Sequence, residues 1–208
     1  MSGFIGIDLG TTYSAISTID EHGIPKIINN SEGQNITPSC IWIKGNKKYE
    51  VGEEARKELG ANDNVIARFK RDMGTKEKYS VNGENLTPTD CSALVLKKLF
   101  KDAQKEVGDI GETVVTVPAN FGNEARVATL TAAKLAGLNE ANIVEEPTAA
   151  AIYYAFEGEL KLNGNYAIYD LGGSTFDVSI IKAEGIRINM VASEGVQKLG
   201  GEDFDVIL

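Results

Sequence analysis

The stretch FIGIDLGTTY, residues 4–13, decides the fold, because a related stretch, YAIYDLGGSTF, occurs at residues 166–176. Each begins with an apolar run typical of a strand, ends that run on an aspartate, and continues through Leu-Gly to a threonine and an aromatic residue. The two align with one inserted residue in the second copy. One recurrence at this distance is not a solenoid period. We interpret the stretches as related strand–turn–strand units from two halves of one fold; the alternative is a pair of tight hairpins, each capped by an aspartate.

Both turns have the composition of an anion-binding site. Successive backbone N–H groups of a Gly- and Thr-rich turn can converge on a phosphate, and the hydroxyls add donors. A carboxylate beside a phosphate requires a cation between them, which implies Mg²⁺. Because Mg²⁺ keeps most of its waters, we expect Asp8 and Asp170 to hold the metal through water. Neither the common NTPase loop nor the dinucleotide fingerprint occurs in the sequence, so neither explains a nucleotide site.

Composition limits the class of protein and its partners. The chain has 208 residues with a formal net charge of −9, and 42% of its residues are hydrophobic. This is an ordinary composition for one folded domain, or for one domain with a smaller insert. The acidic balance disfavours nucleic acid and anionic membranes as partners. Cys40 and Cys91 lie far apart in sequence and His22 is the single histidine, so we expect reduced cysteines rather than a metal site. We find neither a signal peptide nor an apolar run of membrane length, and therefore expect a cytoplasmic location.

Local patterns around the first turn predict strands. Short apolar runs predict strands over residues 4–7, 15–19 and 24–28, and a small hairpin is expected around Gly45-Asn46. Residues 113–117 form a β-branched run that favours a buried strand.

Three helices have clear signals. Thr87-Pro88-Thr89-Asp90 is typical of a helix N-terminus and precedes an amphipathic pattern. A second helix is expected from about Asn123 to Ala136 with Gly137 as its cap, and a third from near Pro147 to a point before Gly158.

The sequence as a whole resembles the ATPase domain of the seventy-kilodalton heat-shock chaperones of the DnaK type. The stretches that carry the resemblance are GIDLGTTYSA (6–15), FKRDMG (69–74), VVTVPANF (114–121), AGLNEANIVEEPTAAAIYYA (136–155), YDLGGSTFDVSII (169–181) and LGGEDFD (199–205). The resemblance implies an α/β actin-like ATPase fold of ribonuclease H type. Residues 1–160 would form lobe I, with about 35–110 as its outer subdomain, and 161–208 would form the first strands of a truncated lobe II.

The resemblance also assigns roles to residues. The first phosphate turn would comprise Gly10, Thr11, Thr12 and Tyr13, and the second Gly172, Gly173, Ser174 and Thr175. Asp8 and Asp170 would organise hydrated Mg²⁺, Lys70 would reach the γ-phosphate, and Glu146 would position the attacking water. Thr175 and Asp177 would flank the site, with Gly200, Gly201 and Glu202 towards the ribose and adenine. Pro118 and Arg126 match a pair that relays nucleotide state in the family.

Two of these residues have an ordinary interpretation as well. From its neighbours alone, Lys70 between Arg68 and Arg71 is a solvated lysine, and only the family motif gives it a catalytic role. A carboxylate at Glu146, just ahead of Pro147, suits a helix N-terminus electrostatically. Both roles of Glu146 are compatible.

As a function, the resemblance implies ATP/ADP binding with Mg²⁺ and ATP hydrolysis that controls the binding of unfolded polypeptide clients. J-domain co-chaperones and nucleotide exchange factors would be partners. Two alternatives remain: an actin-like filament ATPase, which sedimentation would reveal, and a regulatory module that binds nucleotide without hydrolysing it.

Three departures from the family pattern affect these expectations. Ser174 replaces a third glycine, so we expect either an altered turn, because serine tolerates a positive φ poorly, or a turn that merely gains a hydroxyl donor. The segment between Lys70 and Pro118 is shorter than in common relatives, which puts contacts with exchange factors in question. The chain stops just after LGGEDFD, so we expect a fragment of a larger ATPase with little activity by itself.

Overall fold

The structure, a computed structural model, describes residues 3–185, 187–196, 199–205 and 207, with the backbone alone for Glu202. The chain divides into two compact units. The first contains the residues up to Val115 together with Gly122–Ile143, and the second contains Thr116–Phe121 and the chain from Val144 onward. The lobe boundaries expected from the sequence, near residues 35, 110 and 160, stay a prediction.

In chain order the strands are β1 (Gly3–Asp8), β2 (Tyr13–Ile19), β3 (Pro25–Ile27), β4 (Thr37–Pro38), β5 (Cys40–Gly45), β6 (Lys48–Val51), β7 (Val65–Ala67), β8 (Tyr79–Val81), β9 (Glu84–Leu86), β10 (Ile110–Val117), β11 (Ala141–Glu145), β12 (Asn163–Leu171), β13 (Phe176–Glu184) and β14 (Arg187–Val196). The helices are α1 (Glu53–Lys57), α2 (Pro88–Val107), α3 (Asn123–Ala136), α4 (Glu146–Glu157) and α5 (Gly201–Asp205), with a 3₁₀ turn over Phe69–Asp72. Within the described residues, no helix is both long and apolar enough to cross a membrane.

A mixed sheet organises the first unit. Its strand order is β11-β10-β1-β2-β3, with β4 also paired to β2; β1 runs parallel to β10 and antiparallel to β2. Alternate residues of β1 are buried, as expected for a strand with one face on a core. Ile5 and Ile7 belong to the same buried cluster as Leu96 and Leu99 of α2 and Ala132 of α3. The core therefore fixes β1, and with it the turn that follows Asp8.

The second unit is built on the antiparallel sheet β12-β13-β14. Its buried cluster combines Ala151 of α4 with Leu162, Ile181 and Ala183. This small core supports the hairpin β12–β13, whose turn carries the second Leu-Gly stretch.

The predicted elements with strong local signals are confirmed. The structure contains all three predicted helices, and Asn123–Ala136 agrees at both ends. Thr87 and Asp90 form the reciprocal hydrogen bonds of a capping box at the start of α2. Gly137 ends α3 in the left-handed conformation with φ 101°. Cys40 and Cys91 are buried and not bonded to each other, as expected.

Candidate functional site

The first turn connects two strands whose register is fixed by pairing. Asp8 at the end of β1 lies opposite Ala15 of β2, so the turn begins immediately after the aspartate. A Cβ added at Gly10 would overlap the carbonyl oxygen of Tyr13. Only glycine fits a backbone approach this close, which explains Gly10 without reference to a ligand. The ring of Tyr13 lies 4.8 Å from the Arg56 guanidinium, a cation–π contact that orients the aromatic residue.

Ser39 is not part of the first turn but forms hydrogen bonds to it, and the sequence analysis missed this residue. Its hydroxyl donates to the Gly10 carbonyl at 2.7 Å, and its backbone N–H donates to Thr12 O at 2.9 Å. The hydroxyls of Ser39 and Ser14 lie 2.9 Å apart, and both residues are almost completely buried. Strand β4 brings Ser39 to this place by pairing with β2. Ser39 is thus a positioning residue, and no local pattern could identify it because its partners are distant in sequence.

Lys70 is buried, with 7% of its surface exposed, so its interpretation as a solvated lysine is wrong. It lies in the 3₁₀ turn Phe69–Asp72, between the fully buried Phe69 and the half-buried Arg71. Arg68, which precedes this turn, adopts the left-handed conformation at φ 60°. For a residue with a Cβ, this conformation costs free energy and persists only where the surroundings impose it.

The surroundings of this turn are tightly fixed within the first unit. The Tyr79 hydroxyl donates to Asp72 at 2.7 Å, and burial together with this bond raises the pKa of Tyr79 well above its usual range. A Cβ on Gly74, which has φ 80°, would lie 2.6 Å from the backbone nitrogen of Ala125 in α3. The FKRDMG stretch is therefore a rigid support for Lys70 rather than a flexible loop.

The second turn repeats the first in register. Asp170 lies opposite Asp177, as Asp8 lies opposite Ala15, so the same number of residues closes each hairpin. The sequence alignment placed one inserted residue in the second turn, and the strand register shows that this insertion is wrong. In the paired strands Ser174 is equivalent to Thr12, and Thr175 is equivalent to Tyr13. In agreement, the Gly172 N–H donates to Thr175 O at 2.9 Å.

Ser174 does not strain the second turn. Its φ lies outside the left-handed region, and its side chain is buried with 1% of the residue exposed. Of the two alternatives, a turn altered by a positive φ at Ser174 is therefore wrong, because this position does not need glycine's conformational freedom, and the added hydroxyl donor stays a prediction.

The LGGEDFD stretch packs directly on the second turn. The Gly201 N–H donates to Gly172 O at 3.0 Å. A Cβ on Gly200 would overlap the backbone of Gly173 and Ser174, so this contact also requires glycine. The structure thus brings Gly200 and Gly201 together with Gly172, Gly173 and Ser174. The side chain of Glu202, also expected here, lies outside the described residues.

Asp177 has two further neighbours that the sequence analysis missed. The Asn120 side chain donates to its carboxylate at 3.2 Å. Gly195 of β14 lies opposite Asp177, and a Cβ there would overlap the carboxylate. Since Asp170 and Asp177 are directly paired, two negative charges meet at the end of one hairpin.

The remaining predicted residues lie at the ends of elements. Glu146 is the first residue of α4 and is followed by Pro147, a common arrangement in the first helical turn. Asp8 is the last residue of β1, Asp170 is the last but one of β12, and both are exposed. Within the described part of the chain, no three His, Cys, Asp or Glu side chains assemble as a direct metal site. The strand-end carboxylates are of the type that binds hydrated Mg²⁺ through its waters.

The described chain contains two Asp-Leu-Gly hairpins of equal register, one in each of its two α/β units. A family model described as Hsp70 protein matches residues 4–208. The chain belongs to the Hsp70 family. This confirms the resemblance found in the sequence and the actin-like ATPase fold it implies. The family consists of chaperones that bind ATP or ADP with Mg²⁺ and hydrolyse ATP.

Proposed function

We propose that this chain binds MgATP and MgADP and takes part in ATP hydrolysis in a chaperone of the DnaK type. Hydrolysis would control the binding and folding of unfolded polypeptide clients. The observation that supports this best is the common register of the two hairpins, in which Asp8 and Asp170 occupy equivalent strand ends. Family membership supports the same proposal.

In this proposal the two turns bind phosphate oxygens. Gly10, Thr11, Thr12 and Tyr13 donate from the first turn, and Gly172, Gly173, Ser174 and Thr175 from the second. Asp8 and Asp170 orient the waters of Mg²⁺, which when bound neutralises charge on the phosphates. Gly200 and Gly201 keep the second turn in shape, and Glu202 contributes on the ribose and adenine side.

Phosphoryl transfer depends on positioning and charge stabilisation more than on covalent chemistry. Lys70 suits this role because its burial and the rigid turn around it reduce the reorganisation needed when charge develops. Glu146 would orient the attacking water, and Asp177 would act beside Thr175. We further propose a cytoplasmic protein that works with J-domain co-chaperones and exchange factors.

Two sets of variants test the roles. In the full-length gene product, Lys70→Ala should lower ATP turnover about 100-fold or more, while nucleotide affinity stays within about threefold. Lys76→Ala, which removes an exposed lysine from the same region, is the matched control. Turnover of Lys70→Ala within about twofold of wild type would remove Lys70 from the catalytic residues.

The second set concerns the metal. Asp8→Asn and Asp170→Asn should each weaken the Mg²⁺ dependence of ATP binding in calorimetry, since each loses a charge that orients the metal's waters. Asp63→Asn, at an exposed loop position, is the control. If both variants kept the wild-type Mg²⁺ dependence, the paired-turn proposal would be wrong. Nucleotide-dependent sedimentation would instead favour the filament alternative, and binding with no turnover in the full-length protein would favour the regulatory module.

A further inference from the structure

A lysine-lined groove crosses the first unit between α2 and β6. We call it the lysine groove; its volume is about 590 Å³. The lysines that line it are Lys47, Lys48, Lys97, Lys98, Lys101 and Lys105. Its carboxylates are Glu32, Glu50 and Asp102. A local excess of positive charge is unexpected in a chain whose formal net charge is −9.

Each carboxylate of the groove already forms an ion pair with a lysine. Lys98, whose side chain is 14% exposed, lies 2.9 Å from Glu32 and 3.1 Å from Asp102. Asp102 also lies 3.1 Å from Lys105, and Glu50 lies 3.0 Å from Lys44. These pairs neutralise the acidic groups at one end of the groove.

The other lysines of the groove have no such partner. Lys97 and Lys101 are exposed and lie four residues apart, hence on one face of α2. Lys48 is exposed on the opposite wall. No carboxylate among the described residues forms an ion pair with any of these three lysines. Their charges are therefore available to an external anion.

Apolar side chains lie beside the lysines: Val51 and Leu94 line the groove. A second cavity of about 210 Å³ adjoins it and shares Tyr49, Leu94 and Lys97. Leu86, Ala93, Leu135 and Asp90 line this extension; the Asp90 carboxylate accepts from the Thr87 N–H in the capping box of α2, and Leu135 is 58% exposed. Lysines next to exposed apolar side chains such as Leu135 form a surface for a ligand with both negative and apolar groups.

We propose that the lysine groove binds a short acidic peptide segment that also carries apolar side chains. The peptide carboxylates pair with Lys48, Lys97 and Lys101, and its apolar side chains pack on Leu94 and Leu135. This site shares no lining residue with either Asp-Leu-Gly turn and goes beyond the proposed ATPase function.

The composition of the groove favours a peptide over other polyanions. The overall negative charge of the chain repels long nucleic acids and anionic bilayers, whereas a short peptide meets only the local field. Tyr49 is the aromatic residue of the lining; its ring is half-buried and its hydroxyl is bonded to Glu84, so it offers no stacking platform for bases. The groove is concave, while a membrane surface needs a flat or protruding contact.

Fluorescence anisotropy with a labelled peptide of four Glu-Glu-Leu repeats tests the proposal on the 208-residue chain. We expect saturable binding that weakens as salt is raised from about 0.05 to 0.5 M. The double variant Lys97→Glu/Lys101→Glu should bind about tenfold or more weakly, because each reversal replaces attraction by repulsion. Leu135→Ser should weaken binding about threefold through loss of apolar contact.

The control is Lys76→Glu/Lys78→Glu, which changes the net charge equally at exposed positions outside the groove. It should change affinity less than about twofold. If the double variant at positions 97 and 101 fails to fold by circular dichroism, Lys101→Ala replaces it, with an expected loss of about threefold. Equal losses in groove and control variants would overturn the proposal. So would the absence of saturable binding at about 1 mM peptide, or tighter binding of a thymidine dodecamer or phosphatidylserine vesicles.

Discussion

Ser39→Ala tests whether the first turn is held by side-chain hydrogen bonds. The substitution removes the hydroxyl that donates to Gly10 O at 2.7 Å and contacts the Ser14 hydroxyl at 2.9 Å. Both serines are almost completely buried, so water does not readily replace the lost partner. With a net contribution of about 1 kcal/mol per hydrogen bond, the free energy of unfolding should fall by about 2 kcal/mol.

Trp42 makes this loss measurable for the first unit alone. It is the sole tryptophan of the sequence and lies in β5, so its fluorescence reports the unfolding of the unit that contains Ser39. For an urea dependence of about 2 kcal/mol per molar, a loss of about 2 kcal/mol lowers the midpoint by about 1 M. Ser80→Ala removes an exposed serine hydroxyl bonded to Asn85 and should shift the midpoint by less than about 0.3 M. Equal midpoints for the two variants would refute the positioning role of Ser39.

Three further predictions use other parts of the chain. Gly200→Ala should raise amide hydrogen exchange over residues 171–176 about tenfold without changing the Trp42 midpoint, because its Cβ would overlap the backbone of Ser174. Burial raises the pKa of Cys40 to about 11 and of Cys91 to about 12, so Ellman's reagent at pH 8 should react about 100-fold more slowly with the native chain than with the chain in urea. Burial would raise the pKa of Asp102, but its hydrogen bonds to Lys98 and Lys105 outweigh this and lower the pKa. The ionised carboxylate therefore stabilises the fold above about pH 4, and this stability is lost as the pH falls further. The urea midpoint from Trp42 fluorescence should be higher for wild type than for Asp102→Asn above about pH 4, and the two midpoints should converge at lower pH.

Helices were predictable because their ends carry local signals. The Thr87 side chain accepts a hydrogen bond from the Asp90 N–H, and the Asp90 side chain accepts one from the Thr87 N–H. Gly137 ends α3 in the left-handed conformation. The hairpin β8–β9 was missed although its signal is present. Its turn contains Asn82 and Gly83, both with positive φ, and Asn-Gly is the dipeptide that two-residue hairpin turns favour.

The candidate site was predictable only in its repeated part. Strand-end aspartates and turn glycines are visible as a motif, whereas Ser39, Asn120 and Gly195 act on partners far away in sequence. The alignment of the two turns also needed strand pairing to be corrected, because sequence similarity alone matched Thr-aromatic with Thr-aromatic. Lys70 shows the same limit, since its burial depends on packing that its charged neighbours do not indicate.

The two turns have one register but different means of support, which explains why their sequences diverge after Leu-Gly. The first is held by Ser39, whose hydroxyl donates to the Gly10 carbonyl and whose backbone N–H donates to Thr12 O. The second is held by backbone, with Gly201 bonded to Gly172 and Gly200 in contact with Ser174. The backbone at position 200 can approach this closely only because a Cβ atom is absent, which accounts for Gly200 in the supporting segment. Loss of the Ser39 hydroxyl should therefore weaken the first turn, and a Cβ at Gly200 should weaken the second.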